Sequence, residues 1–90
     1  MSRLANKIAI ITGASKGIGA AAARRFVAEG AKVFLLGRSE EALRNLMDEL
    51  TPESCDVMAG DIAAEKTNQD MMEACRRRFG EPDVVLINAG

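Results

Sequence analysis

Ninety residues hold one domain at most, and its core must be thin, because a chain this short buries roughly 60–65% of the surface it exposes unfolded. Hydrophobic residues at 48% and charged residues at 28% describe an ordinary folding chain; with no Trp, no Tyr and three Phe, its core has to be aliphatic. A formal net charge of −1, no long run of one sign and no His remove the electrostatic case for nucleic acid or an anionic membrane, and exclude a Cys/His zinc site and a thiolate–imidazole pair.

Taken in chain order, short apolar runs alternate with helical patterns. Lys7 to Thr12 is a continuous, β-branched run, which predicts a strand buried on both faces. Glycine-rich sequence follows, then an Ala-rich helix from about Ile18 to Glu29, with Gly30 placed at its C′ position. Lys32 to Leu36 is a second strand. Ser39 reads as an N-cap, with Glu40 and Glu41 in the first turn where the helix dipole favours carboxylates. Leu43, Leu46, Met47 and Leu50 then fall on one helix face, and Thr51-Pro52 ends the helix. A weaker third strand covers about Asp56 to Ala59. The third helix runs from about Ala64 to Phe79, burying Met72, Cys75 and Phe79, and stops at Gly80; its polar first half, Glu65 to Asp70, gives little periodic support. Asp83 to Asn88 is the fourth strand.

Arg76, Arg77 and Arg78 form a basic cluster at a helix end, where cations suit the dipole and solvent. Cys55 and Cys75 read as buried, reduced thiols of a cytosolic chain. The apolar run Ile8 to Ile11 is too short for a signal-peptide core, and no stretch approaches a membrane span, so a cytoplasmic location is expected.

The order βαβαβαβ requires parallel strands joined by right-handed crossovers. The fold class is therefore α/β, a Rossmann-like doubly wound parallel sheet: one mononucleotide-binding half plus the next strand, with expected strand order 3-2-1-4. In such sheets ligands bind where the winding reverses, between strands one and four.

That crevice is faced by Thr12-Gly13-Ala14-Ser15-Lys16-Gly17-Ile18-Gly19. Gly13 permits a tight turn out of the strand, Gly17 lets backbone approach a diphosphate, and Gly19 lets the helix sit close to the sheet. Free N–H groups at the helix start, carrying about half a positive charge, then face the phosphates. A nucleoside-triphosphate loop is disfavoured, since Lys16 precedes Gly17 and no Gly-Lys-Ser/Thr follows. An S-adenosylmethionine site is the more serious rival.

The spacing TGxxxGIG resembles the short-chain dehydrogenase/reductases, especially the subgroup that includes 3-oxoacyl-carrier-protein reductases. Asp61-Ile62 after strand three and Asn88-Ala89-Gly90 after strand four agree with it, so three motifs in order cover nearly the whole chain. The resemblance implies that Gly13, Ser15, Lys16, Gly17, Ile18 and Gly19 line the diphosphate and adenosine ribose. It implies that Asp61 bonds the adenine amino group beside the Ile62 backbone. Asn88, Ala89 and Gly90 would flank the ribose and tie strand four to strand one, with the Thr12 hydroxyl as partner. The plainer alternative for Asp61 is a helix N-cap in the third βα loop, and the two roles are compatible. The family usually shows two Asn before Ala-Gly; here the first is Ile87.

Strand two ends Leu36-Gly37-Arg38, without the acid that binds ribose hydroxyls in NAD-preferring sites. Arg38, joined by Lys16, suits an adenosine 2′-phosphate, so NADP (NADPH) is the expected cofactor and NAD the less favoured one. The resemblance further implies hydride transfer between nicotinamide and a small carbonyl or alcohol substrate, using a Ser, a Tyr and a Lys. The ninety residues contain no Tyr; the catalytic residues are expected beyond Gly90, and this segment alone is expected to be inactive. The other readings are a non-catalytic NADP-binding module or truncated isoform, and a methyltransferase-like domain. The last has no use for Arg38 or Asn88-Ala89-Gly90. An uncovered edge on strand four, Val84 to Ile87, would favour self-association.

Overall fold

The computed structural model describes residues 3–15 and 17–88. Its elements are β1 (Ile8–Thr12), α1 (Gly17–Ala28), β2 (Lys32–Gly37), α2 (Glu40–Leu50), β3 (Cys55–Ala59), α3 (Glu65–Arg78) and β4 (Val84–Leu86). All pairings are parallel and the sheet order is β3-β2-β1-β4. This is the Rossmann-like α/β arrangement expected from the alternation of apolar runs and helices.

Because strand side chains alternate faces, each strand feeds two cores. Ala9, Ile11, Val33, Leu35 and Cys55 pack with Ala20 and Ala23 of α1 and with Leu43, Leu46 and Leu50 of α2. Ile10, Phe34 and Leu36 meet Met71 and Cys75 of α3 on the opposite side. That division explains the unbroken apolar runs of β1 and β2, whose every residue from Ala9 to Thr12 and from Val33 to Gly37 is buried. It also separates the two thiols, which sit in different core layers.

The helix ends follow the local chemistry. Gly30, at φ +96°, closes α1 through bonds from the Gly30 N–H to the Val27 carbonyl and from the Ala31 N–H to the Phe26 carbonyl, a paired C-terminal lock that favours a residue without Cβ. Ser39 caps α2, its Oγ accepting the Ala42 N–H at 3.2 Å.

Two expectations need correction. In α3 the buried residues are Met71 and Cys75, one turn apart; Met72 and Phe79 lie at the margin of the core. The polar first half of the helix offered no phase to tell the two methionines apart. β4 is three residues long rather than six: a side chain joins the pairing with β1 at each end, at Asp83 alongside a backbone bond from the Asp83 N–H to the Ile8 carbonyl. The Asp83 carboxylate accepts the Ile8 N–H at 2.9 Å, and the Thr12 hydroxyl accepts the Asn88 N–H at 3.0 Å. The arginines of α3 are exposed at its C-terminal turn, as expected, and form surface ion pairs: Arg76 with Glu81, Arg77 with Glu73, and Arg78 with Asp56, with a further bond to the Pro52 carbonyl. No helix among the described residues is long and apolar enough to cross a membrane.

Candidate functional site

The four segments that leave the C-terminal ends of the strands are knitted into one rim. Asn88 donates its side-chain N–H to the Gly13 carbonyl at 3.2 Å, joining the end of β4 to the loop after β1. The Ala14 N–H donates to the Leu36 carbonyl at 3.0 Å, joining that loop to β2. The Gly60 N–H donates to the Gly37 carbonyl at 2.9 Å, joining β2 to the loop after β3.

Glycines permit this closeness. Gly13 lies at φ +61°, and a Cβ there would collide with the Asn88 carbonyl; a Cβ on Gly19 would collide with the Gly13 carbonyl and stand 2.9 Å from the Ala14 Cα. The head of α1 is thus pressed onto the turn. Gly17 differs: at φ +64° a Cβ would meet nothing within 4 Å, so its backbone conformation alone asks for glycine.

Inside the rim lies a cavity of about 730 Å³. Gly13, Ser15, Arg38, Asp61, Ile62 and Asn88 line it, all singled out from the sequence. Gly17, Ile18 and Gly19 form the first turn of α1, where Ile18 is exposed and Gly19 buried. Lys16, Ala89 and Gly90 lie outside the described residues.

The charged groups are Arg38 and Asp61, whose Nη2 and Oδ1 atoms stand 3.7 Å apart with both side chains exposed. Asp61 is not the cap of α3, as the sequence had allowed. Ala64 holds that position without a side-chain bond, and Asp61 Oδ1 instead accepts the Ala63 N–H at 3.0 Å, closing a turn upstream. Glu40 and Glu41 point to solvent, Glu40 pairing with Arg44. The first turn of α1 contains no acid, so none of its own residues there neutralises the positive end of its dipole.

Sequence reasoning missed Gly37, Ser39, Ala42, Gly60 and Ala63, which also line the cavity. A Cβ on Gly37 would press within 3.0 Å of Ser15 Oγ, and one on Gly60 within 2.9 Å of Thr67. The available signal was a glycine at the end of an apolar run, the same one read at Gly13. Chemically the cavity offers hydroxyls, one guanidinium, one carboxylate and apolar walls. Among the described residues no cluster of His, Cys, Asp or Glu could hold a metal ion.

Comparison with known proteins places this geometry. A family model described as short chain dehydrogenase matches residues 7–90. An uncharacterised oxidoreductase of Staphylococcus aureus strain N315 is 38% identical over 90 residues, covering 100% of this chain and 39% of that protein. A counterpart in Staphylococcus epidermidis is 36% identical over 91 residues, again covering 39% of its length. Among solved structures, apo glucose dehydrogenase of Caenorhabditis elegans matches with a TM-score of 0.93 at 33% identity, over 99% of this chain and 40% of that one. The C-domain of a bacterial malonyl-CoA reductase, solved with NADP, matches with a TM-score of 0.90 at 26% identity, over 96% of this chain and 15% of that one. The chain therefore spans 39% of the length of the curated relatives.

Proposed function

The chain belongs to the short-chain dehydrogenase family, and from that premise we propose that it is the coenzyme-binding segment of a cytoplasmic NADP(H)-dependent oxidoreductase acting on a small carbonyl or alcohol. The observation that carries this reading is the cavity at the ends of four parallel strands, with Arg38 and no acid at the end of β2.

The residues present fit a dinucleotide. Gly13 and Gly19 leave no room for a Cβ, which draws the α1 head and its unneutralised N–H groups to the turn a diphosphate would occupy. Ala42, Ile62 and Ala63 supply an apolar wall for a flat base, and Asp61 an acceptor for its amino group. Arg38, exposed and in a long contact of 3.7 Å with Asp61, offers a guanidinium fork to a 2′-phosphate. When bound, the nicotinamide group gives or takes a hydride. The residues of this chain bind and orient it; a Ser, a Tyr and a Lys elsewhere in a longer protein would handle the substrate. Gly17, Ile18, Lys16, Ala89 and Gly90 complete the proposed binding set.

Calorimetric titration with NADP+ and NAD+ tests the reading. NADP+ should bind tighter by about 10- to 100-fold, the worth of one or two charge-assisted bonds reduced by exposure. Arg38→Asp should weaken NADP+ far more than NAD+. Equal losses for both would remove the assignment of Arg38, and no binding of either would remove the reading itself.

Self-association through the β4 edge belongs to the same proposal. Val84, Val85 and Ile87 are exposed, and an open parallel edge accepts another strand. A monodisperse monomer in light scattering at tens of micromolar would dismiss it.

A further inference from the structure

Arg38 and Asp61 meet because the sheet register brings them together. Gly37 pairs with Ala59, the Gly60 N–H donates to the Gly37 carbonyl, and one step further along each segment stand Arg38 and Asp61. The carboxylate is the fixed partner: its Oδ1 is held at 3.0 Å by the Ala63 N–H. The guanidinium is the less restrained one, on a side chain 82% exposed that reaches Asp61 at 3.7 Å. Elsewhere Arg24 grips Glu49 through two bonds of 2.6 and 3.2 Å. The contact to Asp61 is long, a pair that exchanges partners readily.

We propose that Asp61 is a specificity-determining residue that acts through Arg38: it holds the guanidinium across the cavity mouth in the free protein, and a 2′-phosphate must displace it. The inference rests on the nucleotide-binding reading above and adds a competitor to it. A phosphate dianion wins the exchange, since it offers two oxygens to the fork and twice the charge. A ribose without that phosphate leaves the Arg38–Asp61 pair intact. The carboxylate thus subtracts from the affinity for the phosphorylated nucleotide alone and tempers the preference that Arg38 creates.

Adenosine 2′,5′-bisphosphate and adenosine 5′-monophosphate differ by that phosphate alone, and their affinities for the 90-residue chain give the preference directly. Asp61→Asn retains an Oδ1 acceptor for the Ala63 N–H, so the turn survives; Asp61→Ser removes the charge by a second route. Both variants should raise the preference about two- to fivefold, the range an exposed ion pair supports. The gain should vanish in about 1 M KCl, where the Debye length is about 3 Å, and should also be absent in an Arg38→Gln background. An unchanged preference in both variants overturns the proposal. So does an equal gain in the Arg38→Gln background, which would mean that the carboxylate repels the phosphate directly. If the wild-type chain binds neither nucleotide, the nucleotide reading falls and takes this inference with it. If all variants bind both with one preference, only this inference falls.

Discussion

Thr12 is fully buried, and its hydroxyl accepts the Asn88 N–H at 3.0 Å where the β4 ladder has already ended. Thr12→Val keeps the shape and removes the acceptor, leaving a half-buried N–H without its partner. That costs about 1–2 kcal/mol, toward the lower part of the range for an orphaned buried donor. For a domain of this size, each kcal/mol moves Tm by about 4–8 °C, so thermal unfolding should shift down by about 4–16 °C. Thr12→Ser keeps the hydroxyl but loses a buried methyl, so stability alone does not separate the two variants. Amide exchange does. The Asn88 N–H should exchange faster in Thr12→Val and remain protected in Thr12→Ser. Equal protection of that amide in both variants, with Tm unmoved in Thr12→Val, would refute the claim that a side chain finishes the strand.

Two further outcomes follow from the geometry. Gly17→Ala should cost about 1–2 kcal/mol through its left-handed backbone alone, and Gly17→Asn less, since Asn tolerates that region. At Gly19 the order reverses: Ala collides with backbone at about 1–3 kcal/mol, Asn does worse, and nucleotide affinity falls with stability; denaturant titration reads the four variants, and one common order at both sites would contradict the distinction. Burial pushes the Cys55 thiol from its ordinary 9.0 up to about 12, with Asp56 adding to the shift and Arg78 opposing it. The folded state then keeps a proton that the unfolded chain releases, so this contribution is intact below pH 9 and is lost as pH rises toward 12. The stability gap between wild type and Cys55→Ala should narrow from pH 7 to about pH 10.5; a constant gap would contradict it.

Much of the fold was legible because local chemistry and global arrangement agree. The run Ile8 to Thr12 is apolar on both faces because two helix layers cover it, and Gly30 and Ser39 end and begin helices through bonds their residue types announce. The Met71 face of α3 was not legible, since Glu65 to Asp70 carry no apolar rhythm. Nor was the short β4, at whose ends a hydroxyl and a carboxylate join the backbone pairing. In the site, Gly13 and Arg38 stood out by their places beside strands. Gly37 and Gly60 did not, because their closeness to Ser15 and Thr67 arises only when distant segments are brought side by side. The Arg38–Asp61 contact belongs to the same class.

The sheet also implies an order of assembly. β1 meets β2 through five aligned pairs starting at Ile8 and Lys32, but meets β4 through three, starting at Ala9 and Val84. The longer loop is roughly threefold larger, which raises its closure entropy by about 1 kcal/mol, for fewer ladder bonds in return. β4 is therefore expected to dock after β2 has paired with β1 and to part from β1 more readily than β2 does, opening the seam between Asn88 and Gly13. A ligand spanning that seam would act as a staple, slowing exchange in Val84–Leu86 more than in the central strands.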